Sequence, residues 1–129
     1  MGDAARSPLE RVPYHVVLDT DRRETTQFAS VVLPIGTYVE SDGTFTNHAG
    51  RVQRFLRAVA PPGEALPGWQ VLAQLVATLT AEAPVASAAA VFDALAAEAP
   101  AFRGLSWDGL GEGGQPAATA VDSPSGTLA

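Results

Sequence analysis

The amino-acid sequence predicts an α/β fold that opens with a short β-helix-β unit and continues into a β-hairpin and two helices. Apolar runs at 14–18 and 31–33 flank a short segment with helical potential. Two β-prone runs within 44–55 are joined by a glycine-containing connection, and apolar residues recur at helical spacing over 67–81. A strand, a short helix and a strand in that order form a compact crossover, so the first two strands are expected to be parallel.

The first apolar run has the pattern of a buried strand. Tyr14-His15-Val16-Val17-Leu18 is continuous, contains β-branched residues and ends at Asp19. Parallel strands that are buried on both faces have this composition. Residues 1–13 hold several charges and two prolines. They are expected to form an irregular arm with at most a helical turn at 8–11.

The segment between the two apolar runs is too short for an independent helix but long enough for one or two turns. Over 24–29, Phe28 is expected to pack inward, while Thr20 or Asp21 caps the start. The second apolar run stops at a proline, which cannot donate a hydrogen bond to a ladder. Two such strands alone would leave edges that need covering.

A β-hairpin is predicted over 44–55. The β-prone runs 44–47 and 51–55 are separated by His48-Ala49-Gly50, a three-residue connection that ends in glycine. A bulged hairpin loop has this composition. Asp42-Gly43, just before the hairpin, predicts a tight turn, because glycine reaches positive φ without steric cost.

Two helices are predicted after the hairpin. The first spans 67–81, where apolar residues recur at spacings of three and four and define one face: Trp69, Leu72, Leu75, Val76 and Leu79. The second spans 87–99, with Ser87 as its cap and a proline beyond its end. Because the connection is short and contains proline, an antiparallel pair is expected.

The predicted organisation has four parts. The irregular arm is 1–13, the α/β segment with the hairpin is 14–64, and the helical segment is 65–110. Residues 111–129 are dominated by Gly, Pro, Ser, Thr and Ala and carry almost no large apolar group. This composition predicts a disordered tail.

Composition excludes several classes of function. The formal net charge of −6 argues against nonspecific binding to nucleic acid or anionic membranes. The chain has no cysteine, so by itself it cannot form a disulfide or a cysteine-ligated zinc or iron-sulfur site. It also lacks an apolar run of about 18 residues, the length that predicts a membrane span. A soluble protein on the cytoplasmic side is expected.

The hairpin carries the strongest candidate for a binding site. Arg51, Gln53, Arg54 and Arg57 form a basic cluster. With backbone amides of the loop, such side chains can hold an anion or a nucleotide. The residues assigned to this candidate cofactor site are Gly43, Thr44, Asn47, Gly50, Arg51 and Gln53. The favoured alternative is structural: the amide side chains satisfy the loop backbone, and the arginines hold acidic neighbours or a domain interface.

Other chemistry is disfavoured. The two histidines, His15 and His48, are far apart and lack partners at metal-ligand spacing. Glu40 and Asp42 are expected to bind backbone N–H groups or Arg51 rather than to act as a catalytic pair. The glycine-rich stretch 109–114 follows no strand, which argues against a phosphate loop. No metal site and no catalytic residue are assigned.

An ordered series of motifs resembles the closing part of the catalytic domain of molybdopterin oxidoreductases. The series is Val31-Val32-Leu33-Pro34, Glu40, Gly43-Thr44, Asn47 and Gly50-Arg51-Val52-Gln53. It extends to both sides, with Val16–Thr20 and Glu24–Ser30 before it and Pro62–Ala65, Pro67, Trp69 and Phe102–Leu105 after it. Within the superfamily the series is most similar to the C-terminal region of the large iron-sulfur subunit of bacterial NADH-quinone oxidoreductase.

This resemblance implies that the two strands are the end of a larger doubly wound parallel sheet. It also implies a structural, accessory segment without redox ligands of its own. In the parent family, iron-sulfur clusters carry electrons from NADH to quinone, and related enzymes use molybdopterin. The implied partners are other subunits of the peripheral arm, with no nucleic acid and no membrane insertion. The implied location is cytoplasmic, peripheral to the inner membrane.

The alternative hypothesis is a fragment of a molybdopterin-dependent oxidoreductase of the formate dehydrogenase type, whose hairpin faces the pterin. Those enzymes generally continue into a β-rich cofactor-binding domain. Here two helices are predicted after the hairpin, and this pattern favours the NADH-quinone oxidoreductase subunit.

Overall fold

The computed structural model describes residue 8 and residues 11–118. They divide into two compact units, each built from separate stretches of chain. The first unit takes the described residues up to Ser41 together with Arg57–Pro84, and the second takes Asp42–Leu56 with the described residues from Val85 onward. This division differs from the predicted boundary after residue 64, because the hairpin packs with the C-terminal segment. Most of the predicted arm, and its helical turn, lies outside the described residues.

The first unit opens with the predicted crossover. Strands β1 (Val16–Asp19) and β2 (Val31–Pro34) pair in parallel, with Val16 opposite Val31. The short segment between them, Glu24–Phe28, is a 3-10 helix. The parallel pairing is therefore confirmed. Neither predicted cap is used, since no side chain caps the start of this helix.

The two parallel strands are less buried than their composition predicts. Val16 is 40% exposed and Val32 is 42% exposed. Parallel strands become buried on both faces only when other layers cover both faces of the sheet. Among the described residues, this sheet keeps apolar surface open to solvent, so the described part of the chain does not supply the cover that this composition requires.

A capping box and a single β-bridge follow β2 in the first unit. The Glu40 carboxylate accepts hydrogen bonds from the Thr37 backbone N–H (2.8 Å) and hydroxyl (3.0 Å) at the 3-10 helix Tyr38–Glu40. Ile35 forms a parallel bridge to Leu66, and the Gly36 N–H donates to the Leu66 carbonyl oxygen at 2.9 Å. The role of Glu40 is therefore local, as a cap of its own turn.

Helix α1 (Gly68–Thr80) confirms the first helix but leaves its apolar face open. Leu79 is 78% exposed, and the other exposed large residues of the predicted stripe are Leu72, Leu75 and Val76. The helix ends at Ala81, which adopts a left-handed conformation with φ of 57°. The periodicity thus located the helix, but most of this face is exposed in the described part of the chain, and only Trp69 is half-buried.

The second unit contains the hairpin and the second helix. Strands β3 (Gly43–Thr46) and β4 (Arg51–Phe55) are antiparallel, as predicted, and β4 also pairs with β5 (Gln115–Pro116). Helix α2 (Ala88–Glu98) is followed by a 3-10 helix, Pro100–Phe102. The buried apolar residues of this unit are Val52, Ala88, Phe92, Ala96, Trp107 and Leu110.

The C-terminal segment is a correction to the predicted disorder. Residues 111–118 are ordered along the hairpin: the Ala117 N–H donates to the Gly50 carbonyl oxygen (2.8 Å), and the Ala118 N–H donates to that of Ala101 (2.9 Å). Main-chain hydrogen bonds order this stretch, although it lacks the large apolar side chains whose absence predicted disorder. The remainder of the predicted tail, 119–129, lies outside the described residues.

Ser87 caps helix α2, as predicted. Its hydroxyl oxygen accepts a hydrogen bond from the Ala90 N–H at 3.1 Å. Replacing Ser87 with alanine is expected to lower the free energy of unfolding by about 1 kcal/mol, because one N-terminal amide loses its partner. Urea unfolding followed by circular dichroism would measure the change. The Ser87→Asp variant keeps an acceptor and should stay close to the wild type; an equal loss in both variants would contradict the capping role.

Candidate functional site

The Asn47 side chain forms hydrogen bonds within the hairpin loop. The Asn47 side-chain oxygen accepts hydrogen bonds from the backbone N–H groups of Ala49 and Arg51, both at 3.0 Å. The Gly50 N–H donates to the Asn47 carbonyl oxygen at 2.9 Å, and Gly50 has a positive φ of 73°. This geometry confirms the bulged loop. It also shows that the Asn47 side chain stabilises the turn.

Gly43 has a different role from the predicted one. It lies inside β3, opposite Phe55, and is not among the described residues with positive φ. A Cβ atom at this position would lie 2.7 Å from Cζ of the Phe55 ring. The Phe55 ring also stacks on Phe45, with ring centroids 4.6 Å apart. The glycine is therefore needed for close approach of a ring, and the predicted tight turn at Asp42-Gly43 is wrong.

Arg51 and Arg54 of the predicted cluster contact different parts of the C-terminal segment. The Arg51 guanidinium donates to the carbonyl oxygens of Gly114 (2.9 Å) and Gly113 (3.4 Å). Arg54 donates to the Trp107 carbonyl oxygen (3.4 Å) and lies 3.9 Å from the Asp108 carboxylate. Arg57 belongs to the first unit. These contacts favour the structural interpretation of the hairpin, and cofactor contact by Thr44 and Gln53 stays a prediction.

An open cavity lies in the first unit, at the carboxyl ends of β1 and β2. Its volume is about 730 Å³. In open α/β sheets, ligands bind in the crevice beyond the carboxyl ends of the strands. The polar side chains that line it are Asp19, Thr20, Asp21, Arg22, Arg23, Thr26 and Gln27, and the apolar ones are Val32 and Pro34. We call this opening the edge cavity.

Local hydrogen bonds shape the rim of the edge cavity. The Asp19 carboxylate accepts from the backbone N–H groups of Thr20 (2.7 Å) and Asp21 (3.4 Å), and it lies 3.5 Å from Nε of Arg23. The Asp21 carboxylate accepts from the Arg22 N–H at 2.7 Å. The Arg23 guanidinium is thus held beside the Asp19 carboxylate, and the side chains of Asp21 and Arg22 line the same cavity. Such a rim offers both acceptors for N–H groups and donors for an oxyanion.

The edge cavity was not predicted from the sequence, although a signal was present. Asp19-Thr20-Asp21-Arg22-Arg23 follows directly after a predicted parallel strand, where ligands meet such sheets. From the sequence, this segment is assigned only the end of the first strand and a possible cap, Thr20 or Asp21, for the short helix that follows. Among the described residues, no group of three or more histidine, aspartate or glutamate side chains is placed to hold a metal ion. Nor does the described part of the chain contain a helix long and apolar enough to cross a membrane.

Comparison with known proteins decides the family. The sequence profile of the molybdopterin oxidoreductase family matches residues 5–78, which is more than half of the chain. The chain belongs to this family. The matched range includes β1, β2, the edge cavity, the hairpin and most of helix α1.

Several curated relatives share this segment. The chain is 40% identical over 105 residues to the F420-dependent formate dehydrogenase 2 subunit alpha of Methanococcus maripaludis, a match that covers 80% of the chain and 16% of the relative. It is 41% identical over 101 residues to the NADPH-Fe(3+) oxidoreductase subunit alpha of Geobacter sulfurreducens, a match that covers 78% of the chain and 12% of the relative. It is 45% identical over 71 residues to the F420-dependent formate dehydrogenase subunit alpha of Methanocaldococcus jannaschii, a match that covers 55% of the chain and 10% of the relative. The chain spans less than a fifth of the length of each of these molybdopterin oxidoreductase relatives.

These relatives confirm the molybdopterin oxidoreductase resemblance but not the narrower assignment to the large subunit of NADH-quinone oxidoreductase. Their names are those of formate dehydrogenase and NADPH-Fe(3+) oxidoreductase alpha subunits. A match over 80% of the chain must extend through both α1 and α2. Helices after the hairpin therefore do not distinguish the NADH-quinone oxidoreductase subunit from a formate dehydrogenase. The comparisons favour the alternative hypothesis.

Proposed function

We propose that this chain is part of a molybdopterin-dependent oxidoreductase of the formate dehydrogenase type, in which the edge cavity contacts the pterin cofactor. The single observation that carries the proposal is the position of the cavity. It lies beyond the carboxyl ends of two parallel strands, and both strands fall within the segment matched by the molybdopterin oxidoreductase profile.

The residues of the edge cavity fit the chemistry of molybdopterin. A pterin ring presents N–H donors beside a carbonyl oxygen, and molybdopterin also carries a phosphate. The carboxylates of Asp19 and Asp21 would accept from the ring, while Arg22 and Arg23 would hold the phosphate. The Gln27 amide can both donate and accept. When bound, the cofactor would supply the redox chemistry, and this segment would bind and orient it.

Exposed apolar surface in the first unit supports a place inside a longer subunit. The exposed apolar side chains include Val16 and Val32, which lie on opposite faces of the sheet, and Leu72, Val76 and Leu79 on α1. Exposed apolar groups of this extent usually mark contact with another part of a protein. The relatives named above are alpha subunits many times longer than this segment. The proposal therefore includes partner subunits of an oxidoreductase; NADH-quinone partners and inner-membrane location stay predictions.

A chimera would test the proposed function. We expect that the Methanococcus maripaludis subunit, with its matching segment replaced by this chain, retains molybdenum, pterin and formate-dependent reduction of an artificial dye. In the same chimera, Arg22→Gln is expected to lower pterin retention about tenfold, because a charge-assisted hydrogen bond to phosphate is lost. Metal analysis would measure the molybdenum content, and fluorescence of the oxidised pterin would measure the pterin content, of the parent and variant chimeras.

Arg103→Gln serves as the matched control, because this exposed arginine belongs to the second unit. It should leave pterin content unchanged. A chimera that folds and keeps its other cofactors but loses the pterin would contradict the proposal. Equal pterin content in the Arg22→Gln and parent chimeras would show that the edge cavity is not a contact site.

A further inference from the structure

The last described residues form a strap along the hairpin, defined here as residues 113–118. Within the strap, Gln115 pairs with Val52 and Pro116 pairs with Arg51. The Ala117 N–H donates to the Gly50 carbonyl oxygen. Hydrogen-bonded pairs alternate along an antiparallel ladder, so Pro116 falls at the position where a missing N–H breaks no ladder bond. The strap sequence is therefore suited to this edge of β4.

The Arg51 guanidinium forms hydrogen bonds with the strap. Arg51 Nη1 donates to the carbonyl oxygens of Gly114 at 2.9 Å and Gly113 at 3.4 Å. These acceptors are neutral. A carboxylate at the same place would add the attraction between two opposite charges, which a neutral carbonyl oxygen does not provide. The strap thus gives this arginine a weaker partner than a carboxylate would be.

Hydrogen bonds, and not buried apolar side chains, hold the strap in place. Its ladder with β4 covers two residues, and both Gln115 and Pro116 are exposed. The Gln115 side chain adds one hydrogen bond, to the Gly109 carbonyl oxygen at 2.7 Å. Segments held by exposed main-chain bonds with little apolar burial open at low free-energy cost. Local release of the strap is therefore expected to need no unfolding of the buried residues around Phe92.

We propose that residues 113–118 are a releasable strap, and that its release opens the β4 edge and Arg51 to an extended acidic peptide segment. The segment would add to β4 as a strand, in the position the strap now holds. A carboxylate on it would replace the two glycine carbonyl oxygens at Arg51. The peptide would match Arg51 in charge and the edge of β4 in strand geometry. This proposal does not depend on the function of the edge cavity.

Two neighbouring glycines provide a matched test of strap release. Gly114 has a positive φ of 69°, and a Cβ there would lie 2.5 Å from Cγ of Gln53 and closer still to the Val52 carbonyl oxygen. A Cβ at Gly113 would meet open space. Gly114→Ala should therefore displace the strap, while Gly113→Ala should leave it in place.

Amide hydrogen exchange would measure the release in the full chain. Exchange at Ala117 and Ala118 is expected to be about tenfold faster or more in Gly114→Ala and near the wild-type rate in Gly113→Ala. Trp107 fluorescence would show that the second unit remains folded. If Gly114→Ala loses that signal, Gln115→Ala takes its place, because it removes only the bond to Gly109. Unchanged exchange in a folded variant would overturn the proposal that the strap is releasable.

Two synthetic hexapeptides would test the partner. One carries the strap sequence Gly-Gly-Gln-Pro-Ala-Ala, and the other has aspartate at its first position, the Gly113 position, where a Cβ meets open space. The Gly114→Ala protein is expected to bind the aspartate peptide about tenfold more tightly than the strap peptide, and adding Arg51→Gln should abolish this preference. Wild-type protein should bind both more weakly. Equal binding of the two peptides, binding of neither, or a preference that survives Arg51→Gln would overturn the proposal of an acidic partner.

Discussion

Replacement of Phe92 by alanine is expected to lower the free energy of unfolding of the second unit by about 3–5 kcal/mol. The side chain is only 3% exposed. It meets Phe102 and Trp107 edge-on, with ring centroids 6.1 and 6.5 Å away. Alanine would remove buried apolar area and leave a cavity between two rings that the backbone holds apart. If the wild-type unit is less stable than this loss, the variant will be unfolded in water.

The two tryptophans make this measurement specific. Trp69 lies in the first unit and Trp107 in the second, so a Trp69→Phe background reports on the second unit alone. Urea unfolding followed by Trp107 fluorescence would give the change. Leu95→Ala is the control, because Leu95 lies on the same helix but is 42% exposed. It should cost less than about 1 kcal/mol. Equal losses in the two variants would contradict a core centred on Phe92.

Gly43→Ala is expected to destabilise the second unit by about 1–3 kcal/mol, although alanine normally suits a strand better than glycine. The new Cβ would lie 2.7 Å from the Phe55 ring. Relieving that overlap must move a ring that stacks on Phe45. The steric cost exceeds the roughly 0.4–1 kcal/mol that alanine gains by restricting the unfolded chain.

A double-mutant cycle would identify the ring as the cause. In a Phe55→Leu background the far end of the ring is absent, so Gly43→Ala should become nearly neutral. The same Trp107 unfolding measurement applies to all four proteins. An unchanged cost in the Phe55→Leu background would show that backbone conformation, and not the ring, requires glycine at this position.

The order and type of the secondary elements were predictable because their signals are local. Alternating β-prone runs around His48-Ala49-Gly50 located the hairpin, and apolar spacing located α1 within one residue at each end. Ser87 before an alanine-rich run located the start of α2. In each case the residues that decide the structure are neighbours in sequence.

Roles that depend on distant partners were predicted less well. Gly43 was assigned to a turn because no sequence pattern reports the Phe55 ring 12 residues later. Arg51 was grouped with nearby basic residues, whereas its partners are the carbonyl oxygens of Gly113 and Gly114. The glycine-rich stretch was interpreted only as an improbable phosphate loop, yet it leads into the strap on β4.

By itself the sequence determined the α/β class, the parallel crossover, the hairpin, both helices and the molybdopterin oxidoreductase family. The tertiary structure alone decided which apolar faces are covered, where the C-terminal strand pairs, and that Asp19 to Arg23 line a cavity. The physical reason is the range of the interactions. Backbone preference and periodicity act over a few residues. Burial, strand addition and cavity shape arise only when segments far apart in sequence come together.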